Sequence, residues 1–312
     1  MKKIVLSVFA FCLGFLAFAQ EDTTGSTMNQ PVRKPLEFAW EQTEVGEFSD
    51  PVPYVYQRNA DVMYYHTIWR TIDLREKMNH PLYFPQDVRG TWRCMAQVIF
   101  DALDVKNPEH TEGVLPIYSD EFCTMPMSRE DVKASLVELK RTEQIDPETF
   151  EVIGEIEYEE EFTARQVLLY RVKEIWFFDK KRSLLEVRIL EIEPMIEYEK
   201  ETNSGEPQPG QEEEESVGAI KSKKRVGYIM YDELRPYLAQ QEVYNQKNNA
   251  QRISLDDLMT WKREFSSYIY QEQNVYNDRE IQQYITNARD QRLESDRITE
   301  KIRKFEHDLW EF

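Results

Sequence analysis

Cysteine and glycine are scarce in this chain, three and ten residues of 312. Without a glycine-rich turn no phosphate cradle forms, and neither a Walker nor a dinucleotide pattern occurs. The four histidines (His66, His80, His110 and His307) make no H-E-x-x-H pair, and no Cys/His spacing suits zinc. The G-x-S-x-G elbow and the EF-hand loop are missing too. No apolar run beyond the N-terminus approaches spanning length, so no direct membrane insertion is expected. Positive charge is the minority: 39 Lys and Arg face 58 Asp and Glu, a net charge of −19. Such a surface repels phosphate backbones and anionic lipid, which argues against nucleic acid and favours a basic partner. Acids are so abundant that some pair lies close by chance, so paired carboxylates carry little weight. No catalytic residue, cofactor or metal is implied, and the balance moves from enzyme to assembly.

What is present begins with an export signal. Lys2 and Lys3 precede an apolar run from Ile4 to Phe18, and Ala17 and Ala19 stand at −3 and −1 of a cut before Gln20. The run is shorter than the ~20 residues of a spanning helix, so residues 1–19 read as a cleavable signal peptide. Cys12 leaves with it, and no Cys follows the cut to carry a lipid. The mature chain then has 293 residues, and losing the two lysines takes its charge to −21. Its remaining thiols, Cys94 and Cys123, either bridge in an oxidising compartment or stay free and buried. Cys94 shares a helical stripe with Met95, Val98 and Ile99, which favours two buried thiols.

Residues 20–53 read as an extended, proline-containing arm, with Trp40 and Phe48 among its spaced aromatics. Residues 54–275 read as an α+β core. Its pattern opens with Val62, Tyr65, Trp69 and Ile72 at helical spacing. A second helix is expected over Thr91–Leu103, a short strand over Val114–Tyr118, and a third helix after Ser128 with Val132, Leu136 and Leu139 as its stripe. Strands follow at Val152–Tyr158, Val167–Phe178 and Leu185–Ile192, the last two joined as a hairpin. In the third the parity slips, from Leu185, Val187 and Ile189 to Leu190 and Ile192, which predicts a β-bulge. Val226–Tyr231 adds another strand, and the whole predicts an antiparallel sheet packed with helices. Residues 199–216, with four consecutive acids, read as a disordered loop. The last hundred residues read as helical, opening at Ser254 and Asp257. Residues 276–312 hold no Pro or Gly and carry a heptad-like stripe: Ile281, Tyr284, Ile298, Ile302, Phe305, Leu309 and Phe312. This amphipathic helix docks on its own domain or on a partner. Its stripe, with Trp40 and Phe48, supplies the candidate interface residues.

One stretch is distinctive as a string. Ile68 to Asn79 (IWRTIDLREKMN), followed by Pro81 to Pro85, resembles the start of the core of the GldN/PorN family. Gly227 to Arg235 is similar to a second family stretch, and Leu255 to Leu258 with Glu264, Phe265, Ile269 and Tyr270 to a third. The resemblance spans residues 55–285. It implies a periplasmic component of the type IX secretion and gliding machinery. It also implies three contacts: an outer-membrane lipoprotein of GldK/PorK type, the periplasmic part of a GldM/PorM motor protein, and further copies of itself in a ring. Localisation would be the periplasm, held at the outer membrane through the lipoprotein. Two other readings stand beside it, a cargo-binding chaperone and a cell-wall hydrolase using a carboxylate pair. The resemblance carries no catalytic residue to this chain.

Overall fold

The run Val62–Asp73 is a strand, β1, where the apolar spacing predicted a helix. The reason is two-sided burial: Ile68, Trp69, Thr71 and Ile72 are all buried, so apolar positions do not alternate cleanly. β-Branched and aromatic residues fill this run and suit a pleated surface. The computed structural model describes residues 50–89, 92–103, 114–145, 152–200, 220–248 and 251–308. The predicted signal peptide, all but residues 50–53 of the arm (with Trp40 and Phe48), nearly all of the acidic loop, and Leu309 and Phe312 lie outside the described residues.

After β1 come α1 (His80–Tyr83), α2 (Met95–Leu103) and α3 (Arg129–Ser135). Ser128 starts α3 as predicted, its Oγ accepting the Asp131 N–H at 3.2 Å. Leu139, expected on that helix, belongs to β2 (Val137–Ile145), which pairs with β3 (Val152–Glu161). Residues 114–118 form no strand. Tyr118 makes isolated bridges to Pro126 and Tyr228. β4 (Val167–Asp179) and β5 (Leu184–Lys200) form the predicted hairpin. β6 (Ile220–Arg225), β7 (Ile229–Met230), α4 (Tyr231–Ala239), β8 (Glu242–Val243), β9 (Ile253–Ser254), β10 (Tyr268–Glu272) and α5 (Ala288–Asp308) complete the order.

Three of those strands fall where helix was expected. Ser254 and Asp257 do cap a helical turn reciprocally: the Asp257 N–H reaches Ser254 Oγ at 3.0 Å, and the Ser254 N–H reaches Asp257 Oδ2 at 3.1 Å. The turn is of π type over Asp257–Lys262 and stops at Arg263, which is left-handed. The C-terminal helix begins at Ala288, twelve residues later than the heptad pattern suggested. Asn277 and Asp278 adopt positive φ, held by Asn274, whose N–H reaches Asp278 Oδ1 at 2.8 Å. Asn and Asp tolerate that region, so a chain without Gly or Pro still breaks here.

The main sheet runs β10-β1-β4-β5-β6, antiparallel throughout, with β7 beside β5. One face is covered by helices in two patches. Tyr170, Val172, Ile189 and Ile192 pack with Met95 and Ile99 of α2 and Leu234 and Leu238 of α4. Ile68 and Ile269 pack with Ile298 and Ile302 of α5 and with Ile281. Each fully buried side chain of this kind contributes about 1.5–3 kcal/mol. Between the patches lies Glu174, fully buried, with Arg263 Nη2 at 2.6 Å, Trp176 Nε1 at 2.8 Å and Arg70 at 3.8 Å.

Residues 52–57 form a strap held by arginines. Arg235 donates to Val52 O at 2.5 Å and Arg188 to Val55 O at 2.7 Å. Arg235 is itself fixed by a buried two-pronged pair with Asp256, both contacts 3.0 Å. Among the described residues no helix is long and apolar enough to cross a membrane.

Candidate functional site

The sheet face away from the helices is shaped by a bulge. Lys173 pairs with Glu191 and Glu174 with Ile189, so Leu190 is the extra residue, at the position of the predicted parity slip. Had β5 continued its first alternation, Glu191 and Glu193 would point under the helices. The extra residue turns both to the opposite face, where Lys173 and Arg171 of β4 oppose them. A second irregularity skips Tyr270 in β10, since Trp69 pairs with Gln271 and Arg70 with Ile269. Arg225 of β6 adds a third cation.

A loop closes this face from above. Tyr118 and Tyr228 exchange backbone hydrogen bonds of 2.8 and 2.9 Å, which start the loop. Asp120 then fixes it by accepting the Thr124 and Met125 N–H groups at 3.0 and 2.7 Å and the Thr124 hydroxyl at 2.6 Å. Beside Tyr228 is Gly227 at φ +149°, where a Cβ would come within 2.3 Å of Ile117 Cγ2. The loop delivers Glu121, Phe122 and Cys123. From the other side the turn after β10 brings Asp278, Glu280 and Gln283.

The result is a cavity of about 270 Å³ in which five carboxylates (Glu121, Glu191, Glu193, Asp278 and Glu280) face three cations (Arg171, Lys173 and Arg225). Lys173 Nζ is 2.9 Å from Glu121 and 3.8 Å from Glu191. Glu121 also accepts the Trp69 indole N–H at 2.9 Å. Arg225 is in close contact with Glu193. The cations lie over aromatic rings: Arg171 on Tyr270 at 4.8 Å, Lys173 on Trp69 at 5.3 Å, and Arg225 on Tyr228 at 4.8 Å.

Glu191 is weakly partnered. It is 6% exposed; the Lys173 ammonium, shared with Glu121, is 3.8 Å away and the Cys123 thiol 3.9 Å, both long for hydrogen bonds to a carboxylate. Burial pushes its carboxyl up to about 8, Lys173 pulls it down, and Glu121 and Glu193 push it further up. Glu193, 4% exposed, is also raised by burial, against the pull of Arg225 and Arg171. The Cys123 thiol is pushed up to about 11 by burial and by Glu191, so it stays protonated and a poor nucleophile. Among the described residues no cluster of His, Cys, Asp and Glu could hold a metal ion. The chemistry available is recognition of a cationic group by desolvated carboxylates.

Of the residues singled out from sequence, Cys123 stands beside the recess and the other described ones are placed elsewhere. Ile281, Ile298 and Ile302 are buried in the patch under α5. Phe305 is half-buried, its ring 4.2 Å from that of Tyr64. Tyr284 is exposed with Arg279 over its ring at 5.6 Å. Cys94 is buried in the larger patch and Cys123 is half-buried on the loop; both are free thiols. The cavity residues were not singled out by sequence reasoning. The usable signal was Glu191 and Glu193 just after a parity slip, opposite a strand where Arg171 and Lys173 alternate with Tyr170 and Val172.

The chain is an α+β protein with helices on one sheet face and an ion-lined recess on the other. Residues 57–311 match the family model described as GldN, gliding motility associated protein GldN, and the chain belongs to that family. It is therefore a component of the gliding motility and type IX secretion machinery. No curated protein matches it.

Proposed function

We propose that the protein is a structural subunit of a periplasmic ring in the type IX secretion and gliding apparatus. It docks on an outer-membrane lipoprotein of GldK/PorK type and couples it to a GldM/PorM-type motor shaft. Family membership over residues 57–311 carries this reading. The export signal expected in residues 1–19 agrees with it. So do the exposed apolar side chains on its loops, which suit protein contact: Phe122 at 79%, Val275 at 90% and Tyr276 at 76% exposed. The role is mechanical and needs no catalytic group.

Co-expression with the lipoprotein tests it. Pulling on a tag on the lipoprotein and imaging the detergent eluate by negative-stain electron microscopy should give large rings containing both chains. A stable lone monomer in the periplasmic extract, with no co-elution, would overturn the proposal.

A further inference from the structure

We propose that the cavity between β4, β5 and the 119–126 loop is a socket for an arginine or lysine side chain carried on an apolar segment of a partner protein. The proposal stands on the cavity and does not depend on the ring reading. Two observations in the recess carry it, and its rim points to the kind of partner. The recess has five acids against three cations, so even with Glu191 holding its proton at neutral pH the other four acids outnumber the cations, an imbalance that an incoming cation would offset. Glu191, more than nine-tenths buried and lining the recess, has among the described residues only a thiol at 3.9 Å and a shared ammonium at 3.8 Å for partners. A desolvated carboxylate so poorly paired gains most from a new charged donor. Its raised affinity for a proton is the same deficit expressed in another way.

The rim selects a polypeptide over a free amine. Phe122 lies over Lys173 at 5.2 Å and is 79% exposed. Across the recess, the turn that supplies Asp278 and Glu280 also holds up Val275 and Tyr276, 90% and 76% exposed. Both loops are tied down by side-chain caps, Asp120 in one and Asn274 in the other, so their apolar tips are fixed in place before a partner arrives. A basic residue flanked by apolar ones would fill the socket and cover both tips, the arrangement of an interface anchor.

The test uses the full mature chain and the blocked peptide acetyl-Ser-Leu-Arg-Leu-Ser-amide. Its citrulline and glutamate counterparts and spermidine serve as comparisons. The readout is the Trp69 indole N–H resonance, assigned with Trp69→Phe, because that group donates to Glu121 in the recess. The arginine peptide should shift it saturably, and citrulline should bind about tenfold more weakly or worse, the loss of one charge-assisted contact. Glu191→Gln should weaken the arginine peptide by about as much, and Glu280→Gln, at the rim, should weaken it less. Circular dichroism and melting curves confirm that each variant is folded. No shift at millimolar peptide, or equal binding of citrulline or glutamate, overturns the socket. Spermidine binding as well as the arginine peptide would assign the site to free amines and overturn the protein partner.

Discussion

Glu174 and Glu191 are both buried carboxylates beside the same bulge, on opposite faces of one sheet. Glu174 is fully buried and has two strong donors, Arg263 and the Trp176 indole, with Arg70 behind them. Glu191 is nearly as buried and shares one ammonium with Glu121. The first is a closed pair joining two hydrophobic patches. The second is an open one at the mouth of a recess. Burial alone does not separate a structural ion from a recognition site; the number of donors within reach does.

The comparison breaks most visibly at the closed pair. Arg263→Ala removes the 2.6 Å donor and leaves the buried Glu174 with the neutral Trp176 indole at 2.8 Å and Arg70 at 3.8 Å. Urea unfolding should show a loss of about 3–5 kcal/mol, the usual result of stripping a buried charge of its partner. A loss below about 1 kcal/mol would mean the seam is wetter than its geometry implies.

At the open pair the sign reverses. Burial raises Glu191 from 4.5 to about 8, so between those values the native state holds a proton that the unfolded chain releases. Its contribution to stability is greatest below pH 4.5, falls as pH rises towards 8, and is flat above. Glu191→Gln removes that decline. The variant should exceed the wild type by about 2–4 kcal/mol at pH 9 and match it near pH 4. Urea midpoints of both proteins across this range measure the difference; parallel curves would show that the carboxylate is not in deficit. A smaller loss is expected where the loop over the recess begins. Gly227→Ala meets Ile117 and forces a β-carbon into φ +149°, which should cost about 1–3 kcal/mol in thermal unfolding.

How far this was legible in the sequence depends on whether a pattern has one physical cause. The β4–β5 hairpin, the bulge at Leu190 and the cap at Ser128 each rest on a local rule, and each was readable. Strand β1 was misread because burial on both faces erases the period that separates strand from helix. The stripe of the last helix was read correctly at Ile298 and Ile302, yet extended too far back, since Asn277 and Asp278 break the chain without Gly or Pro. The recess itself was not legible. It joins β1, β4, β5, β6, β10 and two loops, and only the pairing order brings Glu121, Lys173 and Glu280 together. Its one trace in the sequence was the slip that puts two glutamates out of phase.

That slip can be tested directly, and the expected effect is the smallest of the set. Leu190 is the extra residue, 40% exposed and opposite no partner. Deleting it joins Ile189 to Glu191 in plain alternation. Ile192 then stays under the helices and Glu191 and Glu193 stay on the recess side, so both faces keep their residues. Deletions inside a strand normally invert everything beyond them; this one should leave the fold intact, with a stability change within about 2 kcal/mol. What it removes is the local bend and added twist of the bulged strand, which shape the recess floor. The expected outcome is a folded chain whose Trp69 resonance is displaced before any peptide is added. An unfolded chain would mean that the bend, and not only the parity, is required to seat the helices on the other face.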